Sequence, residues 1–309
     1  MKTLIRFYTI LFVFALFGHS LTQAQDIAAD SNSNSGQGEI IESYTPTVGD
    51  AVNVSEVSDV QVIYDRPLMK VHLGVIGQNF VYREPDIDIT DSGRLTGLEA
   101  MLQYSLKLDL YLRGHMQFLT GNLKYDGHLM NSNAAYETNN DYKIREFKGD
   151  VSIKTDLSQD TDIFFYVGLG RKETLQANNP NEKADYARDI TYNYYSLGSF
   201  VNVVVNEQMN LVFDASFESL LSGGVYTHLS DVSSSYEDVN LKFISGNSIG
   251  GDIHLNYRVT SSDTLTAKLG MRRWIVDRSE YTYSKQENAY FYEPKNTTQI
   301  TTLGLGYLF

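Results

Sequence analysis

The sequence predicts an all-β fold: a transmembrane antiparallel up-and-down barrel of about ten strands, with twelve as the alternative count. Three observations predict it. Segments of alternating apolar and polar residues recur from residue 68 to the end. The connections between them alternate between short and long. The chain stops on an aromatic residue at the end of an alternating run, with no polar tail.

The first 24 residues read as a signal peptide. Lys2 and Arg6 precede an apolar run over residues 7–17, and Thr22, Gln23 and Ala24 supply a cleavage site after Ala24. The run is too short to span a bilayer as a helix. Residues 25–67 read as an acidic, flexible periplasmic extension. Residues 31–38 are almost all Ser, Asn and Gly, and the acidic side chains from Asp26 to Asp65 face a single basic one, Arg66. The barrel then occupies residues 68–309.

Strand by strand, the alternation assigns one face to lipid and one to the lumen. Residues 68–81 put Met69, Val71, Leu73 and Val75 opposite Lys70, His72, Gly74 and Gln78. Residues 94–106 set Leu98, Ala100, Leu102 and Tyr104 against Glu99, Met101 and Gln103. Residues 109–125 set Leu110, Leu112, Met116 and Phe118 against Arg113, His115 and Gln117. The clearest segment is 143–155, where Phe147, Gly149, Val151 and Ile153 alternate with Glu146, Lys148, Asp150, Ser152 and Lys154. Residues 162–174, 190–205 and 209–221 follow, the last with Phe213 and Phe217 opposite Asp214 and Glu218. The eighth segment is 239–257, the ninth 264–276 and the tenth 299–309.

Connections at 107–108, 157–160, 206–208 and 259–262 are short. Those at 82–93, 126–141, 175–189, 222–238 and 277–298 are long. Short turns on one side and long loops on the other are the asymmetry of membrane barrels, and they place both chain ends in the periplasm. A soluble all-β protein explains neither this rhythm nor the terminal Phe309. Closing the sheet satisfies every backbone N–H and C=O in hydrocarbon, where water cannot.

At the C-terminus, Thr302, Gly304, Tyr307 and Phe309 form a polar-x-Gly-x-x-aromatic-x-aromatic pattern. It resembles the C-terminal assembly signal of bacterial outer-membrane β-barrel proteins. That resemblance implies recognition by the barrel-assembly machinery, a cell outer-membrane location, and outer-membrane lipid and lipopolysaccharide as surroundings.

Composition excludes other classes. A formal charge of −13 argues against nucleic acid as a partner. The chain has no Cys, so no disulfide or thiol chemistry is available to it. Its six His include one in the leader and form no His-x-x-His or His-Glu-x-x-His pair, so neither a metal nor another cofactor is expected. Tyr (22) and Phe (15) are abundant while Pro (5) is scarce, which suits long strands with interfacial aromatics.

The residues that carry chemistry are therefore the charges of the lumen face. Lys70, Glu99, Arg113, Glu146, Lys148, Asp150, Lys154, Asp214, Glu218, Lys242, Asp252, Lys268 and Arg272, with His254, are the pore-lining candidates. They read either as a narrow, solute-selecting pore or as a salt-bridged lumen that stays shut. Tyr281, Tyr283, Tyr290 and Tyr292, around Phe291, are candidates for an external binding surface or an aromatic girdle. An enzymatic alternative is weighed on architecture. The omptins, ten-stranded outer-membrane proteases, use carboxylates and an Asp–His dyad, and Asp86, Asp88, Asp126 and His128 lie in the first two long connections. The surrounding motif does not match, and no enzymatic activity is expected. The expected role is a narrow channel or a structural surface protein, with an adhesin-like ligand-binding barrel as the alternative.

Overall fold

The computed structural model describes residues 69–106, 109–128, 134–179 and 185–309. The signal peptide and the acidic extension read from the sequence lie outside the described residues.

The strands are β1 (Met69–Glu84), β2 (Ile89–Ser105), β3 (Leu110–His128), β4 (Ala135–Ser158), β5 (Thr161–Gln176), β6 (Arg188–Asn206) and β7 (Met209–Thr227). They continue with β8 (Val239–Lys242), β9 (Gly246–Arg258), β10 (Thr264–Val276), β11 (Thr282–Ser284), β12 (Ala289–Phe291) and β13 (Asn296–Leu308). Neighbours pair antiparallel in the order β6-β5-β4-β3-β2-β1-β13-β10-β9-β7, and β6 pairs with β7 to close the ring. Ten strands thus form a closed barrel, as the alternation predicts. The extra strand β8 adds to the outer end of β7, and β11 and β12 form a separate ribbon.

Alternation governs the packing. On the outward face Leu98, Val151, Val167 and Leu269 are exposed, and Leu303 and Leu305 are 64% and 67% exposed. A water-soluble sandwich would bury such residues; here they form a continuous band around the barrel, the face a bilayer covers. Among the described residues no helix is long and apolar enough to cross a membrane. The band stops part-way along each strand. On β4, Phe147 is its last member, and Arg145, Lys143 and Asp141 follow outward. With 24 residues, β4 is far longer than the roughly 9–11 needed to cross. The barrel wall therefore continues well beyond the lipid.

That continuation corrects the loop assignments. The first long connection, predicted over 82–93, is mostly strand: β1 and β2 run on to a turn at residues 85–88, where Asp88 takes a left-handed φ of 53°. The predicted segment at 264–276 coincides with β10. The eighth predicted strand is two, β8 and β9, because a bulge on β7 places an extra residue between Leu220 and Ser222. One residue of slip swaps inward and outward faces. Lys242, expected in the lumen, consequently lies exposed opposite Gly224 and is no lining residue.

Inside, the two halves of the barrel differ. Toward the long-loop end two apolar clusters fill the lumen. One joins Ile76, Phe80, Leu95, Leu119, Leu123, Tyr142, Ile144 and Ile300. The other joins Ile190, Tyr192, Tyr194, Val225, Phe243, Trp274 and Val276. Toward the short-turn end the lumen is polar.

Candidate functional site

The polar half holds a cavity of about 440 Å³, reaching from Lys70, Gln103 and Lys154 at the short-turn rim to Gln78, Glu146, Arg272 and Ile300 beneath the apolar clusters. Of the candidates read from the sequence, Lys70, Glu99, Arg113, Glu146, Lys148, Asp150, Lys154, Asp214, Asp252, His254, Lys268 and Arg272 line it. Glu218 faces the same interior, fully buried. The period-2 register brings them together: every second residue of β1, β2, β3, β4, β7, β9 and β10 reaches a lumen only ten strands in circumference.

Charges of opposite sign meet in three tiers. Beneath the apolar clusters, Glu146 accepts from Arg272 at 2.9 Å and from the Tyr194 hydroxyl at 2.6 Å, and Gln117 donates to its other oxygen. Arg272 also lies 3.6 Å from Glu218, and Lys148 approaches Glu218 at 3.9 Å. In the next tier Lys268 bridges Glu99 at 3.1 Å and Asp252 at 3.9 Å, with His115 3.6 Å from Glu99. Arg113 pairs with Asp150 at 2.8 Å and stacks over Phe200 and Tyr166, 4.3 and 4.6 Å from the ring centres. Tyr166 donates to Asp214 at 2.9 Å. At the rim Lys154 holds Asp156 and Asp162 at 2.7 and 3.0 Å.

Six cationic side chains and six carboxylates line the cavity. A balanced lining gives neither sign of ion a net advantage, whereas selective pores carry rings of one sign. Its pairs are also close enough to hold one another rather than a passing ion.

The long-loop end contains a second buried polar group that the sequence reading did not single out. Arg188 contacts Glu84 at 3.4 Å and Glu293 more closely, and the Tyr82 hydroxyl donates to Glu84 at 2.6 Å and lies 3.0 Å from Glu293. The Tyr142 hydroxyl donates to Asp91 at 2.9 Å and lies 2.9 Å from the Gln176 side-chain oxygen. Arg188 begins β6 and Glu293 lies in the last long connection, 105 residues apart, so no local pattern could pair them. Burial, and then the neighbouring Glu293, push the Glu84 carboxyl up to about 7 despite Arg188. Burial also raises Asp91 to about 6. One guanidinium cannot neutralise three carboxylates; Glu293 takes it, and Glu84 keeps its proton near neutrality.

The sign of the pH effect follows. Both groups have folded-state values above their ordinary ones, so the unfolded chain releases protons first as pH rises. Stability of the outer end is greatest in acid and falls between about pH 4 and 7, by a few kcal/mol over that range. Thermal unfolding at pH 5 is expected to lie above that at pH 7.5, and Glu84→Gln should flatten the difference. Identical pH profiles for the two proteins would refute the assignment.

The remaining candidates are placed as follows. Tyr281, Tyr283, Tyr290 and Tyr292 are exposed and stand in pairs across the β11–β12 ribbon, with ring centres 5.1 Å apart in each pair. Asp86 and Asp88 are exposed in the β1–β2 turn, and Asp126 lies on the outer face of β3 beside Lys124. His228 lies 3.3 Å from Asp189 and 3.8 Å from Asp238, on different elements from those the sequence suggested. Among the described residues no group of His, Asp and Glu could hold a metal ion. Of the assembly motif, Thr302 and Gly304 face the lumen, while Tyr307 and Phe309 face outward at the short-turn end, their rings 6.0 Å apart.

No family profile matches the sequence, and no curated protein matches it. Solved structures to which the chain is similar include the outer membrane protease OmpT of Escherichia coli, at 12% identity and a TM-score of 0.47, covering 78% of this chain and 96% of that one. The translocator domain of the autotransporter NalP of Neisseria meningitidis is similar at 10% identity and a TM-score of 0.38, with 79% and 90% covered. Ail, the attachment invasion locus protein of Yersinia pestis, has 10% identity and a TM-score of 0.30, with 78% and 99% covered. Ten closed antiparallel strands with a lipid-facing apolar band are the architecture of a bacterial outer-membrane β-barrel.

Proposed function

We propose that this chain is exported through its signal peptide, assembled in the outer membrane by the barrel-assembly machinery, and works there as a closed, non-enzymatic surface barrel. One observation carries the reading: the outer half of the lumen is packed with apolar side chains, Leu95, Leu123, Tyr194, Val225 and Trp274 among them, all fully buried. Close packing of these side chains, with the Arg188, Glu84 and Glu293 group buried beyond them and paired within itself, leaves no continuous water-filled path. The charged half beneath it is a paired network that stiffens the barrel rather than a filter.

A porin-like channel is the competing role, and planar-bilayer recording of refolded protein separates the two. The closed barrel is expected to give a silent membrane at moderate voltage. Reproducible ion-selective steps would refute it. A binding role for the outer end, adhesin-like, is favoured by one observation: four exposed tyrosines in two tilted pairs on the β11–β12 ribbon.

A further inference from the structure

The outward face of the barrel carries a charge pattern unrelated to the lumen. Above the large apolar residues of the band, the next two outward positions hold Arg94 on β2, Lys143 and Arg145 on β4 and Arg171 on β5, and on β10 Arg273 stands between Met271 and Ile275. The one carboxylate among them is Glu173. The chain has 38 acidic and 25 basic residues, so an indiscriminate scatter would favour carboxylates here. On the other strands the same positions are neutral, with Asn79, Thr120, Asn122, Asn193, Asn247, Gln299 and Thr301.

Four of the five cations share the contiguous face β2–β5. Arg145 stands opposite Glu173 on β5, and Arg171 sits one outward position closer to the lipid band, opposite Phe147. Arg94 stands opposite Asn122, which in turn stands opposite Asp141, next outward from Lys143. Arg94, Lys143 and Arg145 are exposed and form no ion pair among the described residues, whereas Arg171 holds Glu173 at 2.8 Å. All four lie immediately above Leu98, Phe118, Phe147 and Leu169, where the acyl chains of the outer leaflet give way to headgroups.

We propose that this face binds the phosphate groups of a phosphorylated lipid of the outer leaflet. The proposal rests on the reading of the apolar band as lipid-facing. Guanidinium groups match phosphate oxygens two at a time, and ammonium groups add point charge. A phosphate moored by its own acyl chains arrives at this height, and on this face finds cations not committed to internal partners.

The test uses the full-length chain in phosphatidylcholine nanodiscs, with and without a minor fraction of bisphosphorylated lipid A, read by the thermal unfolding midpoint. Lipid A should raise the wild-type midpoint by several degrees, because a ligand bound only to the folded state stabilises it. Lys143→Glu/Arg145→Glu should keep its midpoint in phosphatidylcholine alone and lose most of the rise. If that variant fails to fold, Lys143→Gln/Arg145→Gln is measured against the same criteria. An undiminished rise in the variant, an equal rise with dephosphorylated lipid A, or the same rise with soluble pyrophosphate would each overturn the site. A wild-type chain that does not insert into phosphatidylcholine would instead remove the membrane reading, and the headgroup site with it.

Discussion

Arg272→Met is expected to destabilise the barrel by about 3–5 kcal/mol, the largest single-residue effect in the lumen. Its guanidinium lies 2.9 Å from Glu146 and 3.6 Å from Glu218, and both carboxylates are almost completely removed from solvent. Methionine fills similar volume but leaves two buried negative charges, with Lys148 the cation 3.9 Å from Glu218. An isolated buried charge costs more than its pair ever contributed, so the loss exceeds what the ion pairs are worth as pairs. The combination Arg272→Met/Glu146→Gln/Glu218→Gln removes the charges together and should recover most of the loss. Urea unfolding of refolded protein in lipid vesicles measures both. Wild-type stability in Arg272→Met would mean that water screens this tier, and the closed-lumen reading would fall with it.

The second large effect concerns assembly rather than stability. Changing Tyr307 and Phe309 to Ser, or deleting Phe309, is expected to lower severalfold the protein inserted in cells. The two kinds of change separate two roles of the terminal strand. Phe309 donates its N–H to Val71 at 3.0 Å and accepts from the Val71 N–H at 2.9 Å, so deletion removes a closing rung between β13 and β1. The serine pair keeps that rung and removes only the aromatic rings. If the rings are a recognised signal, the serine variant should refold normally into lipid vesicles and still insert poorly in cells. Normal insertion in cells, with unchanged heat-modifiable gel mobility, would show that the rings carry no signal.

The C-terminal motif is legible because it depends on order along the chain: Thr302, Gly304, Tyr307 and Phe309 lie close together at the end of one run. Most of the lumen was legible for the same reason. Alternation in β4 sends Glu146, Lys148, Asp150 and Lys154 inward and Phe147, Val151 and Ile153 outward, and the structure has them so. Lys242 shows where this fails. Its parity depends on a bulge in β7, a different strand, and on the break between β8 and β9; a periodicity read within one segment carries no information about either.

What the sequence by itself determined is the class of fold, a count of about ten strands with twelve left open, and which face of most strands meets lipid, because these follow from a repeat of two residues and from connection lengths. Only the tertiary structure decided how far the wall rises beyond the lipid and that apolar clusters fill much of its outer half. Tyr82, Tyr142, Tyr194 and Trp274 alternate with polar residues whether they line a channel or fill a core, and the difference is made across the lumen by strands distant in sequence. The pairing of Arg188 with Glu84 and Glu293 was likewise decided there, because ring closure sets which inward side chains share a height, and closure belongs to all ten strands at once.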